Sequence, residues 1–197
     1  MRRISWLCLG ATSVALVVIG PAGSAADRWT WRGLHRPLHI PRIDPGAPCP
    51  LSALTTLDLG QEGMRSRPGR GPAYPSLSRG SMLEFFYPPI PAQSDFYGTE
   101  WGGQKVLWWV SGSYHGPVLI RGRQLDGPNV VRFDRGSPVP QKEIRIKPGP
   151  GYGRWKGARD RASYTRLRAA GCYAYQIDGT NFSRVIIFEA KIVPPPS

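Results

Sequence analysis

Acidic residues are scarce in this chain. Its 197 residues hold 13 Asp and Glu against 26 Lys and Arg, a formal net charge of +13. Cysteine is scarcer still, with three copies. The commonest chemical signatures are missing as well. No phosphate-cradling glycine loop leads into Lys-Ser or Lys-Thr, and Gly149-Pro150-Gly151-Tyr152-Gly153 has neither dinucleotide-binding spacing nor a helix after it. The Gly-x-Ser-x-Gly elbow of serine hydrolases is absent. His35 and His39 stand four apart, but Pro37 between them rules out the regular helix that would align their rings. No cysteine or carboxylate cluster completes a metal site there, so no metal and no cofactor are expected.

Glycine and proline, by contrast, are plentiful. The chain has 24 Gly and 21 Pro, just under the roughly 25–30% at which aperiodic Pro and Gly signal disorder. Seven Trp, eight Tyr and six Phe argue against disorder, because such side chains bury surface and fold the chain. The same two residue types weigh against helix bundles. A globular, loop-rich domain is expected.

Residues 1–26 read as a secretory signal. Arg2 and Arg3 precede an uncharged stretch from Ile4 to Ala26 whose apolar centre runs through Leu7, Leu9 and Val14–Ile19. Pro21 breaks it, and Ala22-Gly23-Ser24-Ala25-Ala26 supplies small residues for cleavage. Retention as a membrane tether is the alternative. Once Cys8 leaves with this segment, Cys49 and Cys172 remain, and outside the cytoplasm a lone pair is most simply a disulfide. No second apolar segment closes the chain, so an anchor at that end is not expected.

Residues 27–80 read as an extended, proline-rich lead and loop lying over the domain. Pro37, Pro41, Pro45, Pro48 and Pro50 forbid a helix across the first part. Residues 81–197 read as the core. Short apolar or alternating runs follow one another at Met82–Tyr87, Lys105–Val110, Pro117–Arg123, Asn129–Asp134, Glu143–Lys147, Ser163–Arg168, Cys172–Ile177 and Phe182–Ala190. Asp178-Gly179 between the last two signals a hairpin. Residues 149–157 read as a flexible glycine-rich loop. The spacing predicts an all-β, antiparallel sandwich. Gly171-Cys172-Tyr173 opens a strand as the penultimate strand of immunoglobulin-like sandwiches often does, with the tyrosine hydroxyl bonding back to the corner before it. Strand alternation then turns Cys172 away from Tyr173, toward the lead.

In Ala47-Pro48-Cys49-Pro50, in His115–Gly122 with Leu125-Asp126-Gly127, and from Gly171 to Phe188, the chain resembles a group of uncharacterised secreted bacterial proteins. The resemblance touches both ends and the middle of the exported part. It implies secretion and an immunoglobulin-like β-sandwich, and no known activity.

No catalytic residue is expected. Around Cys172, Ala169-Ala170-Gly171-Cys172-Tyr173-Ala174 keeps only the Gly-Cys of the Ser-His-Gly-Cys-like motif of one family of secreted peptidoglycan transpeptidases. Neither a preceding histidine nor a following arginine is there to lower the thiol pKa. Charge is the strongest remaining signal. Arg145, Lys147, Arg154, Lys156, Arg159, Arg161, Arg166 and Arg168 crowd one stretch with Asp160 as its single acid, and Tyr152, Trp155 and Tyr164 are interleaved. Guanidinium forks fit phosphate and carboxylate, and aromatic rings stack on sugars and bases. These eight residues are the candidate anion-binding set. The plainer reading is a solubilising basic face.

The expected function is a secreted, non-catalytic module that binds an anionic envelope polymer or membrane surface. Nucleic acid is not the expected partner. Two other readings stay open. One is an envelope enzyme acting on glycan or peptide, with two carboxylates in one cleft lined by Trp101, Trp108 or Trp109. The other is a structural module that packs against a protein.

Overall fold

The computed structural model describes residues 29–88, 96–134 and 139–194. The expected signal segment lies outside them. Among the described residues no helix is long and apolar enough to cross a membrane.

The chain is almost entirely β. Eleven strands are described: β1 (Leu54–Asp58), β2 (Met64–Pro68), β3 (Ala73–Ser76), β4 (Met82–Phe85), β5 (Gly102–Val110), β6 (Val118–Gln124), β7 (Arg132–Asp134), β8 (Ile144–Ile146), β9 (Arg159–Leu167), β10 (Gly171–Asp178) and β11 (Ser183–Ile192). They form a β1–β2 hairpin, a four-stranded sheet in the order β3-β5-β9-β7, and a five-stranded sheet in the order β4-β11-β10-β6-β8. All pairings are antiparallel except β4 with β11, which run parallel with Met82 opposite Glu189 and Phe85 opposite Ile192. The expectation of a wholly antiparallel arrangement is corrected at that edge.

The two larger sheets share one core. Val106, Trp108 and Val110 enter it from β5, Tyr173, Tyr175 and Ile177 from β10, and Ile186 and Phe188 from β11. The Trp108 and Tyr175 rings meet edge to face at 5.0 Å. The Tyr175 hydroxyl bonds across the layers to the Thr165 hydroxyl of β9 at 2.8 Å. These are the periodicities that alternation predicts: residues two apart on a strand share a face. The corner expected at Tyr173 is present, its hydroxyl donating to the Ala169 carbonyl at 2.8 Å.

The 27–80 stretch carries more regular structure than its prolines suggest. One helical turn, α1 (Trp31–Leu34), is capped by Thr30, whose hydroxyl accepts from the Gly33 N–H at 3.0 Å. It ends before Pro37, so the prolines bound it rather than break it. β3 joins the four-stranded sheet at its edge. Pro75 is tolerated there because an edge residue need not donate on its outer side.

After α1 the lead lies on the outer face of the five-stranded sheet. Cys49 and Cys172 are at disulfide distance, with Cα atoms 5.4 Å apart. Ile40 of the lead is buried with Leu125, Cys172 and Ala174. Gln176, fully buried, donates to the Pro37 carbonyl at 2.9 Å and accepts from the His39 N–H at 2.7 Å. Buried Asp178 accepts from Arg121 at 2.8 Å and from Ser183 at 2.7 Å. The polar side chains of β10's outer face thus find their partners in the lead and its neighbours, as buried polar groups must.

Candidate functional site

The eight basic residues do not make one patch. Nine-residue β9 carries Arg159 at one end and Arg166 near the other, ~23 Å apart at the rise of a strand. Two of the eight are consumed inside the protein. Arg166 is fully buried; it pairs with Asp134, donates to the Thr99 hydroxyl at 2.9 Å and to the carbonyls of Trp101 and Gly102, and lies 4.4 Å from the centre of the Phe96 ring. Arg159, also buried, donates to the carbonyls of Lys147, Tyr114 and Gly116, and that burial lowers its pKa. Neither offers itself to a ligand, and both are struck from the candidate set. Alternation puts the two on opposite faces of β9, where loop carbonyls cover Arg159 and Phe96 with the 99–102 segment covers Arg166. Arg168 is exposed but pairs with Glu100 and lies over the Trp101 ring at 4.2 Å. Lys147 is exposed beyond the end of β8.

The remaining four fall into two places. Arg145 and Arg161 help to line a cleft of about 570 Å³ with Lys142, Gln141, Asp134, Glu143 and Ser163, where edge strands β7 and β8 approach each other. The cleft holds two carboxylates, as the enzyme reading asked. Asp134 is paired with Arg166, however, and Glu143 bonds to Arg145 at 2.6 Å and to His35 at 2.5 Å. None of Trp101, Trp108 and Trp109 lines it. The arrangement is a neutralised polar network with a guanidinium at its rim, and Arg145 continues outward over the Trp31 ring at 5.3 Å.

Arg154 and Lys156 belong to the second place. The expected slack loop is a built turn. Residues 153–155 form a 3₁₀ turn, Tyr152 N–H donates to the Ala158 carbonyl at 2.9 Å, and Gly157 N–H returns to the Tyr152 carbonyl at 3.0 Å. Glycines of the neighbouring segments allow close approach: a Cβ on Gly112, after β5, would sit 2.5 Å from the Lys156 carbonyl, and one on Gly60, after β1, 2.4 Å from the Arg154 carbonyl. Backbone is thereby locked to backbone on two sides.

This knuckle stacks its side chains. Trp155 meets Trp109 edge to face at 5.0 Å, and Tyr152 meets Trp155 at the same distance. The Arg154 guanidinium lies 4.3 Å from the Trp155 ring centre and 5.8 Å from that of Tyr152. Cation–π contact of this kind orders a long side chain without neutralising it. Arg154 is exposed and forms no ion pair with the described carboxylates. Lys156 pairs with Asp58 of β1, and that bond, with a second from the Gly60 N–H at 3.0 Å, lowers the Asp58 pKa.

Beside the knuckle is a cavity of about 200 Å³ walled by Trp109, Trp155, Tyr74 and Leu59, with Thr56, Ser111 and the Asp58–Lys156 pair among its polar groups. Trp109 is buried, and its indole N–H meets no acceptor among the described residues. The indole of Trp108, inside the main core, is in the same state, and nothing in the structure accounts for it. Sequence reading singled out Tyr152, Arg154, Trp155 and Lys156 but missed Thr56, Asp58, Tyr74 and Ser111. Asp58 and its partner Lys156 are 98 residues apart, and no local signal joins them.

Among the described residues no cluster of three or more His, Cys, Asp or Glu is placed to hold a metal. No protein-family model matches the chain, and no curated protein matches it.

Proposed function

We propose that this chain is an extracytoplasmic, non-catalytic binding module of immunoglobulin-like type that docks onto an anionic polymer or surface through the 152–156 knuckle. The observation that carries it is Arg154, an exposed guanidinium held in place by two aromatic rings and unmatched by an acid. A pre-ordered cation loses little side-chain entropy on meeting phosphate or carboxylate. The net charge of +13 favours approach of any polyanion.

Export is supported by the leader-like segment and by the pairing of Cys49 with Cys172. The immunoglobulin-like reading is supported by two β layers around a buried tryptophan and by the tyrosine corner. One feature departs from that pattern: the disulfide joins the lead to β10 and does not cross between the sheets.

The test is binding of the purified protein to a soluble polyanion, polyglutamate or inorganic polyphosphate, across a salt titration. Binding is expected at low salt and is expected to weaken about tenfold or more toward physiological ionic strength, where the screening length is about 8 Å. Arg154→Gln is expected to weaken it further, because it removes the exposed charge, and the side chain makes no ion pair whose loss would disturb the fold. Absence of binding at the lowest salt would overturn the proposal.

A further inference from the structure

We infer that the cavity beside Trp155 is a sugar subsite, so that the ligand of the knuckle is an acidic glycan rather than a plain polyanion. The inference rests on the anion-binding reading and adds the chemistry of the chain that carries the charge. Its walls are aromatic and its polar groups are few and converge. Trp109, Trp155 and Tyr74 present ring surface, while Thr56 and Ser111 present two hydroxyls and Asp58, paired with Lys156, a carboxylate. That combination suits a pyranose, whose C–H faces lie on aromatic rings and whose hydroxyls need both donors and acceptors.

Each polar group has capacity left. The Ser111 hydroxyl is engaged with Ser113 at 2.9 Å, and Thr56 only weakly with Ser66 at 3.5 Å. Asp58 accepts two bonds, from Lys156 and Gly60, out of about four that a carboxylate can take. Trp109 contributes ring surface to the same wall, its indole N–H being itself buried. The volume of about 200 Å³ suits one sugar ring, not a chain. The rest of the ligand must therefore run along the surface.

Arg154 fixes the charge of that ligand. Its guanidinium stands over Trp155, the wall of the cavity, so a carboxylate or sulfate on the bound sugar or on its neighbour is within reach. The glycan class is preferred over an anionic membrane because the cavity offers hydroxyl-matching groups, for which a bilayer surface has no use. The walls are preformed, since Gly60 and Gly112 lock the knuckle to its neighbours.

The experiment measures tryptophan fluorescence and calorimetric binding of the purified protein to four probes. They are a hexuronic acid oligosaccharide, a neutral oligosaccharide of matched linkage, polyglutamate, and vesicles containing anionic phospholipid. The acidic oligosaccharide is expected to bind at least tenfold more tightly than either the neutral one or polyglutamate. Trp155→Ala is expected to remove that preference while leaving the weaker, salt-sensitive binding of polyglutamate. Thr56→Phe, at an exposed position of β1, fills the cavity while keeping every ring of the aromatic stack and is expected to act in the same way. It keeps the test sharp if Trp155→Ala fails to fold. Equal binding of acidic oligosaccharide and polyglutamate, unchanged by Thr56→Phe, overturns the sugar subsite and leaves the anion-binding reading standing. Tighter binding to vesicles than to either also overturns it. Silence of all four probes at low salt overturns both.

Discussion

Arg166 shows how little a basic residue's place in the sequence says about its task. It sits in the run richest in cations, yet it is fully buried beside a fully buried Asp134. A buried charge survives when a partner and further hydrogen bonds replace its water, and Arg166 has Asp134, Thr99 and two carbonyls. Removing one partner leaves the other charge uncompensated. Arg166→Ala is therefore expected to lower stability by about 3–5 kcal/mol, read from the urea midpoint. Replacing the pair together, with Asp134→Asn and Arg166→Met, is expected to recover part of that loss. A loss below about 1 kcal/mol from Arg166→Ala would contradict the role given to the pair. Arg154, twelve residues earlier, has the opposite fate because a 3₁₀ turn, not a strand, carries it outward. Sequence alone could name both arginines as candidates but could not separate them.

At the scale of elements, the lead and the knuckle are the two devices laid onto the sheets. The lead is held by the Cys49–Cys172 pair and by a polar cluster around Gln176 and Asp178. Both attachments are on β10's outer face, because residues 172, 174, 176 and 178 alternate with the core-facing tyrosines. The two cysteines are 123 residues apart in sequence. On the chain-entropy account a link closing so long a loop contributes ~4–5 kcal/mol by restricting the unfolded chain. The double substitution Cys49→Ser, Cys172→Ser is expected to lower the melting temperature and to raise hydrogen exchange in residues 36–50 ahead of the sheets. Uniform loss of protection across lead and sheets would mean that the lead is no separable strap. The pairing and the inward or outward facing of Cys172 were legible, since only alternation and a count of cysteines were needed. The strand at Ala73–Ser76 was not. Pro75 is read locally as a breaker, and only its position at a sheet edge makes it acceptable.

For the whole molecule, the shared core makes alkaline pH a probe of global opening. Tyr173 and Tyr175 lie between the sheets, and burial raises the pKa of both hydroxyls, with the nearby Asp126 charge adding to the effect at Tyr173. The fold thus favours the neutral phenols. Their contribution is complete below the unfolded tyrosine value of about 10 and is lost as pH rises above it toward the folded values. In a spectrophotometric titration, fewer than the eight tyrosines are expected to ionise while the fold persists. The remainder should appear together with the loss of β ellipticity. Ionisation of all eight with ellipticity intact would show that the core admits hydroxide without opening.

The sequence by itself determined the β character, the inward-facing residues of most strands, the hairpin at Asp178-Gly179 and the partnership of Cys49 with Cys172. Each depends on neighbours along the chain, on a period of two, or on a count, and these are local quantities. The tertiary structure alone decided which of eight cations stay in water, that the glycine-rich loop is a packed turn, and that Thr56, Asp58, Ser111 and Trp109 share one cavity with Trp155. Burial and convergence depend on what arrives from elsewhere in the chain. Backbone carbonyls and a carboxylate reach Arg159 and Arg166, whereas aromatic rings and open solvent surround Arg154. The scarcity of acids sharpens that division: among the described residues, carboxylates are already bound to the cations they meet at Asp58, Glu100, Asp134, Glu143 and Asp178, and Arg154 pairs with none of them.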